Sequence, residues 1–104
     1  MTLYDLHSHS IYSDGILTPT ELVIRAVEKG VNVLALTDHD TLEGIPEAQK
    51  QAKISGIDIV VGTEISVTWR GRLIHIVALD VDSKNTPLQD GLKYNRSLRE
   101  ERSI

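Results

Sequence analysis

Histidine and acidic residues recur in several short segments of this sequence, next to or within apolar stretches. The residues that could bind a metal ion or assist a reaction are His7, His9, Asp14, Asp38, His39, Glu64 and His75. Imidazole nitrogens combined with carboxylate oxygens suit manganese, zinc or iron better than calcium, which prefers oxygen ligands alone. Because this set has more ligands than one such ion needs, the pattern predicts a centre with more than one divalent metal ion.

A multinuclear centre of this kind would be suited to the hydrolysis of phosphate esters. Divalent ions activate water and neutralise the charge that develops on a phosphate. They would also explain how an acidic chain binds an anionic substrate, since the formal net charge of -4 provides no basic field over the whole chain.

Each of these residues, taken alone, has a simpler interpretation. The His-x-His pair could lie on the surface, Asp14 could only form a turn, and residues 38–40 could cap a helix. His75 could be a hydrogen-bonded residue of the core, and Glu64 could be solvated. These explanations are independent of one another, whereas the order of the strands predicts that all of the residues converge. The joint pattern therefore favours a metal centre.

Alternating strand and helix patterns would bring these residues together. Residues 3–6 predict a short strand, and residues 18–30 predict a helix with Thr18 as N-cap and Gly30 at its C-terminal cap. The unbroken apolar segment 31–36 is typical of a strand that is covered on both faces. This strand, helix and strand form one βαβ unit, which places the His-x-His pair and residues 38–40 after neighbouring strands.

The same pattern repeats once more and then changes. Residues 44–56 predict a second helix and residues 57–61 a third strand, while residues 65–79 predict a hairpin with its turn at Gly71. Residues 81–104 predict a loop and a possible, weakly ordered helix. Because ligands bind where the carboxyl ends of parallel strands meet, the α/β class places the candidate residues at one rim.

Positively charged residues recur every three positions in this last segment. They are Lys93, Arg96, Arg99 and Arg102. A solvated helix face is the favoured interpretation, and contact with substrate phosphates is the alternative.

The composition is that of one globular domain. The chain has 104 residues, of which 40% are hydrophobic and 25% charged, which argues against a chain that is disordered as a whole. It has no cysteine, which excludes disulfide frameworks and thiolate zinc sites. There is no apolar leader or membrane-spanning run in the sequence, so we expect a cytoplasmic protein that does not act at a membrane.

Four ordered motifs carry a specific resemblance. HSHSIYSDG, TDHDTLEG, GTEIS and the later His75 are similar in order and spacing to the PHP (polymerase and histidinol phosphatase) family of metal-dependent phosphoesterases. Within this family the chain most resembles stand-alone bacterial proteins that act on nucleoside 3',5'-bisphosphates or trim short RNA from the 5' end. The resemblance implies a distorted (β/α)7 barrel with two or three metal ions. Manganese is the expected ion, with zinc, iron and magnesium as alternatives.

The resemblance also implies a role for each matching residue. His7 and His9 would hold one ion, and Asp14 and His39 would hold another. Glu64 would bridge two ions, and we expect Glu64 and His39 to be catalytic through the ions that they hold.

Two further roles are implied by the same motifs. His75 would complete the metal site on this part of the chain, and Asp38 would orient a ligand histidine.

The chain also departs from the family pattern. Family members continue well beyond this length and supply further histidines, whereas this sequence ends at Ile104. We therefore expect an incomplete metal site and an incomplete barrel of about four strands with alternating helices. An isolated chain of this kind would self-associate through an exposed sheet edge or leave its last segment disordered.

Two alternatives to a nucleotide or RNA phosphoesterase remain open at this point. One is a non-catalytic metal-binding or structural fragment that works only together with another chain. The other keeps the enzyme class but changes the substrate to histidinol phosphate or DNA ends.

Overall fold

The structure is a computed structural model that describes residues 2–102 and the side chains of residues 2–98. Four strands and three helices follow one another along the chain. They are β1 (Tyr4–Asp5), α1 (Pro19–Glu28), β2 (Val33–Leu36), α2 (Ile45–Ser55), β3 (Asp58–Trp69), β4 (Arg72–Leu79) and α3 (Thr86–Arg102). The predicted α/β class with four strands and alternating helices is confirmed.

The strands form one sheet in the order β1-β2-β3-β4. β1, β2 and β3 are parallel, with Val33 opposite Asp58 and Leu36 opposite Val61. β4 is antiparallel to β3. Each strand lies next to the one before it in sequence, as in the successive units of an α/β barrel, and β1 and β4 form the two edges of the sheet.

Local signals explain where α1 begins and ends. Thr18 accepts a hydrogen bond from the Glu21 N–H at 3.1 Å, and the Glu21 carboxylate accepts one from the Thr18 N–H at 3.0 Å. This reciprocal capping box satisfies two backbone donors that the helix cannot satisfy itself. The backbone hydrogen bond also lowers the pKa of Glu21 below its ordinary value. The helix ends at Glu28, and Gly30 follows with a φ of 80°.

The hydrophobic core lies between the sheet and helices α1 and α2. Its buried members are Val23, Ala26, Val31, Leu34, Leu36, Ile45, Ala48 and Ala52. Small alanines on the helices allow them to approach the sheet closely, while Ile45 fills the space between elements. Full burial of a side chain such as Ile45 stabilises the fold by about 1.5–3 kcal/mol. This core fixes the positions of the strand ends that carry the candidate residues.

β3 differs from its predicted form. Residues 57–61 and the first strand of the hairpin were expected to be separate, whereas residues 58–69 form one continuous strand. Residues 58–61 of this strand pair with β2, which ends at Leu36, and residues 62–69 pair with β4. A Cβ at Gly62 would lie 2.9 Å from the Ala78 carbonyl oxygen, so only glycine fits where the partner strand changes. Glu64 consequently lies within a strand and not at its end.

The predicted hairpin is present, and its turn consists of Arg70 and Gly71. Both have positive φ angles, 51° and 75°, as the two central residues of a type I′ turn require. The Arg70 guanidinium stacks 4.5 Å from the centroid of the Trp69 ring. β4 leaves large apolar side chains exposed, including Leu73 and Ile76.

Residues 86–102, for which the sequence allowed a loop or a helix, form α3. Among the helix residues whose side chains are described, Leu92 is the buried one. Across the described part of the chain, no helix combines the length and apolar character needed to cross a membrane.

Candidate metal centre

The six predicted ligand residues converge at one end of the sheet. They are His7 and His9 after β1, Asp14 in the following loop, His39 after β2, Glu64 in β3 and His75 in β4. Parallel strands bring His7, His9, Asp14 and His39 together because the carboxyl ends of β1 and β2 meet at one edge, and Glu64 follows the part of β3 that pairs with β2. His75 joins them from the antiparallel strand, since it pairs with Ser66 and shares a sheet face with Glu64.

Glu64 lies at the centre of this cluster and is 6% exposed. Its Oε1 lies 2.6 Å from His7 Nε2 and 3.1 Å from His9 Nε2. Its Oε2 lies 3.2 Å from His39 Nδ1 and 3.3 Å from His75 Nδ1. Each carboxylate oxygen therefore faces two imidazoles, which is the arrangement of a carboxylate that bridges two ions.

Asp14 forms a second bridge between imidazoles. Its Oδ1 lies 2.5 Å from His9 Nδ1, and its Oδ2 lies 3.1 Å from His39 Nε2. Asp14 is exposed, whereas the two histidines are largely enclosed. The carboxylate thus closes the centre on its solvent side.

Three groups of potential ligands result, and within each group the donor atoms lie within 4.8 Å of one another. The groups are His7, His9 and Glu64, then His9, Asp14 and His39, and finally His39, Glu64 and His75. His9, His39 and Glu64 each belong to two groups, so the three groups form one continuous cluster of potential ligands.

The histidines change the protonation of both carboxylates. Desolvation acts to raise the pKa of Glu64, but the hydrogen bond with His7 and the charge of His39 outweigh it, so this pKa lies below its ordinary value. At Asp14 desolvation is likewise outweighed by the hydrogen bond and charge of His9 and by the charge of His39. Both carboxyl groups are therefore held in the ionised form that binds metal.

The donor set itself fits bound cations. A carboxylate is an acceptor only, and a neutral imidazole has one N–H. His9 and His39 nevertheless each have both ring nitrogens within 3.2 Å of carboxylate oxygens of Asp14 and Glu64. One nitrogen of each ring therefore needs a cation or an additional proton beside it. Within the described residues, His39 Nδ1 is also the buried side-chain nitrogen that has no hydrogen bond.

Backbone hydrogen bonds hold the segments that carry these side chains. His39 and Glu64 form a parallel β-bridge, in which the Glu64 N–H donates to the Asp38 carbonyl at 3.0 Å and the Asp40 N–H donates to the Glu64 carbonyl at 3.0 Å. The Thr37 N–H donates to the Ser8 carbonyl at 2.8 Å and so fixes the residue between His7 and His9.

The Asp38 carboxylate binds the loop that follows His9. Its carboxylate accepts hydrogen bonds from the Ser10 N–H at 2.5 Å, the Ser10 hydroxyl at 2.6 Å and the Ser13 hydroxyl at 2.8 Å. Among the described residues, Ser10 and Ser13 are the hydrogen-bond partners of this carboxylate. Asp38 therefore holds the loop between His9 and Asp14, because a fully buried carboxylate needs several donors.

Sequence reasoning assigned no role to Ser10 and Ser13, although both lie inside the HSHSIYSDG motif.

Gly15 has a further constraint, since a Cβ there would lie 2.2 Å from the His9 carbonyl oxygen. The loop returns so closely on His9 that only glycine fits. The spacing of Ser10 and Ser13 within the motif is the sequence feature that could have indicated a loop held by serine hydroxyl groups.

The cationic face expected on α3 is partly directed inward. The Arg96 guanidinium donates to the Asp40 carbonyl at 2.8 Å, so this residue is not simply solvated. Lys93 is exposed, and the side chains of Arg99 and Arg102 lie outside the described residues.

Comparison with known proteins agrees with this geometry. Residues 5–94 match the PHP domain. The chain is 54% identical over 101 residues to a 5'-3' exoribonuclease of Haemophilus influenzae, covering 97% of this chain and 37% of that protein. It is 46% identical over 103 residues to a 3',5'-nucleoside bisphosphate phosphatase of Chromobacterium violaceum, covering 99% of this chain and 36% of that protein.

A solved structure extends the likeness to three dimensions. The fold superposes with a TM-score of 0.92 on a Bifidobacterium adolescentis protein assigned as a metal-dependent phosphoesterase, at 31% identity and covering 98% of this chain and 36% of that one. The chain thus spans a little over a third of the length of each of these proteins. With its histidine and carboxylate cluster on four adjacent strands and their loops, this chain belongs to the PHP domain family.

Proposed function

We propose that this chain forms a metal-binding part of a phosphoesterase that hydrolyses phosphate esters of nucleotides or short RNA. The observation that carries the proposal is that His9 and His39 each have both ring nitrogens within 3.2 Å of carboxylate oxygens. This donor set requires cations or additional protons. The named activities of the Haemophilus and Chromobacterium relatives support a nucleotide or RNA substrate.

The residues divide among the proposed ions according to their groups. His7 and His9 would hold one ion together with Glu64, and Asp14 would hold another with His39. Glu64 would bridge two ions because its two oxygens face different pairs of imidazoles.

His75 would complete the group that contains His39 and Glu64. Its imidazole is more exposed than those of His9 and His39, so this part of the centre faces the space where a substrate would lie.

Bound divalent ions would neutralise phosphate charge and lower the pKa of a water ligand towards neutrality. The chain's own contribution is to hold the ligands in place before any ion arrives. Glu64 and Asp14 stay ionised at neutral pH because their pKa values are lowered, and the β-bridge at His39 fixes the distance between ligands from different strands. Glu64 and His39 are the residues we assign as catalytic.

Manganese is the ion we propose, with zinc, iron or magnesium as alternatives. Mixed imidazole and carboxylate ligands suit these ions better than calcium. We further propose that the protein is cytoplasmic, since its sequence contains no cysteine and its proposed substrates are nucleotides.

Metal binding is the direct test of this function. Manganese bound per chain is measured after chelation, reloading and dialysis for the wild type, for the double variant His7→Ala/His9→Ala and for Arg70→Ala as control. We expect tight binding in the wild type and the control and its loss in the double variant. Equally weak binding in all three proteins would refute the proposal. Release of phosphate from a nucleoside 3',5'-bisphosphate then tests the reaction.

A second candidate is a metal-binding module that needs further chain for catalysis. The observation that favours it is that the chain spans 37% and 36% of the two named relatives. Manganese binding without phosphate release, followed by release after the remaining part of such a relative is added, would distinguish this module from a self-sufficient enzyme.

A further inference from the structure

Beyond Glu64, β3 has no neighbouring strand among the described residues on the side where β2 lies earlier in the sheet. There the backbone of Ser66 forms hydrogen bonds with side chains. The Ser66 N–H donates to Asp40 Oδ1 at 2.9 Å, and the Ser66 carbonyl accepts from Asn95 Nδ2 at 2.9 Å. Asn95 Nδ2 also lies 3.0 Å from the same Asp40 oxygen. An aspartate from the loop after β2 and an asparagine from α3 therefore continue the hydrogen bonding that β2 no longer supplies.

Asp40 connects this edge to the metal centre through its backbone. It is fully buried and has a φ of 52°, a left-handed conformation that favours glycine, asparagine or aspartate. Its N–H donates to the Glu64 carbonyl, and its carbonyl accepts from the Arg96 guanidinium at 2.8 Å. Both backbone polar groups and the carboxylate of this one residue are thus engaged by β3 and α3.

His39 directly precedes Asp40 and is confined by these contacts. Its Nδ1 lies 3.2 Å from Glu64, and its Nε2 lies 3.1 Å from Asp14. A shift of the loop would change both distances at once, because the residues on either side of His39 form the hydrogen bonds of the β-bridge to Glu64.

α3 has little apolar attachment that could replace this link. Within residues 86–98, whose side chains are described, Leu92 is the buried one. The hydrogen bonds of Asn95 and Arg96 are made one turn further along the helix. The hydrogen bonds of Asn95 and Arg96 therefore set where this part of α3 lies against the loop that contains His39 and Asp40.

We propose that Asn95 and Arg96 are positioning residues, which act through Asp40 to hold His39 at the distance from Glu64 and Asp14 that metal binding needs. The inference rests on the proposed function, in that the centre is taken to bind metal. It adds that the docking of α3, a segment outside the metal-ligand motifs, controls the geometry of the centre.

The first test uses the metal-free chain and therefore does not depend on metal binding. Amide hydrogen exchange is compared in the wild type, in Asn95→Ala and in Lys93→Ala, an exposed control on the same helix. The loss of the Asn95 hydrogen bonds should speed exchange at Asp40 and Ser66 roughly fivefold to tenfold. The amides of Val31, which donates to the Ala26 carbonyl in the turn after α1, and of Ala48, which donates to the Gly44 carbonyl at the start of α2, should be unchanged.

The second test measures Co²⁺ affinity and the visible absorption spectrum of bound Co²⁺. We expect Asn95→Ala to bind Co²⁺ about tenfold more weakly with an altered spectrum, as for other residues that orient metal ligands. Asn95→Asp has the same size and replaces the donor with an acceptor beside Asp40. It serves as the second variant if the alanine variant is unfolded, and the same weakening is expected.

Each outcome decides a separate question. Unchanged exchange at Asp40 and Ser66, or faster exchange with unchanged Co²⁺ affinity and spectrum, would overturn the positioning role. A lower melting temperature alone would show that Asn95 only stabilises the helix, and would overturn it too. If the wild type binds no Co²⁺, the proposed metal centre fails, while the exchange measurement still decides whether α3 holds the His39 loop.

Discussion

His39 and Glu64 lie opposite each other in a parallel β-bridge just beyond the end of β2, with His39 Nδ1 3.2 Å from Glu64 Oε2. The same two residues are therefore paired through their backbones and close to each other through their side chains. The hydrogen bonds that extend the sheet by one bridge also set the spacing between a buried carboxylate and an imidazole. A change at either residue should therefore affect both metal binding and the stability of the sheet.

Loss of the central carboxylate should reduce the amount of metal bound. Glu64→Ala removes the two oxygens that face four imidazoles, so we expect the loss of at least one bound manganese ion and of any hydrolysis that depends on it. Metal analysis after dialysis measures the first effect and phosphate release the second. Arg70→Ala, at the hairpin turn, is the matched control, and equal losses in both variants would contradict a bridging role.

Acid should destabilise the metal-free protein through Glu64 and Asp14. Both carboxyl groups have pKa values below their ordinary values in the folded chain, so the unfolded chain binds protons more readily. The stabilisation is present above the ordinary pKa of about 4 and is lost as the pH falls through the lowered folded values. Urea unfolding midpoints of the chelated protein, measured between about pH 6 and pH 3, test this dependence.

The double variant Glu64→Gln/Asp14→Asn should show a weaker dependence on pH over the same interval. Its side chains keep nearly the same shape but do not titrate. An unchanged slope in this variant would assign the acid sensitivity to other carboxyl groups.

Removal of the Asp38 carboxylate should be costly because its donors stay buried. Asp38→Ala leaves the hydroxyl and N–H of Ser10 and the hydroxyl of Ser13 without their acceptor. We expect the free energy of unfolding to fall by about 2–4 kcal/mol, from the loss of several charge-assisted hydrogen bonds. Urea unfolding measures this change, and Asp90→Ala, at an exposed helix position, should change it little.

Two glycine substitutions should have opposite effects. Gly15→Ala would place a Cβ 2.2 Å from the His9 carbonyl oxygen, so the loop must move and the protein should lose both stability and metal affinity. Gly91→Ala meets no atom within 4 Å in helix α3, so it should stabilise the protein by up to about 1 kcal/mol. Thermal unfolding compares the two, and similar effects would contradict the close approach at Gly15.

The isolated chain should self-associate through β4. This edge strand exposes Leu73 and Ile76 at 51% and 50%. Sedimentation velocity should show concentration-dependent dimers or larger species, and Ile76→Lys should reduce them because a charge on an edge strand opposes further pairing. Ile54→Lys, at an exposed position of α2, is the control. A compact monomer at all concentrations would contradict the prediction.

Local patterns were sufficient for much of the fold. The capping box at Thr18 and the left-handed glycine at Gly56 mark helix boundaries, and their physics acts within a few residues of the chain. The apolar segment before Asp38 predicts a buried strand for the same reason. The continuity of β3 could not be predicted in this way, because it depends on a change of partner strand at Gly62.

The candidate ligands show the same division. Their types and their places after successive strands are properties of the sequence, and they were enough to predict that His7, His9, Asp14, His39, Glu64 and His75 would converge. Tertiary structure decided which oxygen faces which nitrogen, that Asp38 holds the loop with Ser10 and Ser13, and that Asn95 reaches Asp40 from α3. Residue types are given by the sequence itself, and the order of strands and helices follows from patterns within short stretches of it. Distances between side chains 25 or 55 residues apart are set only when the core packs the strands and helices against one another.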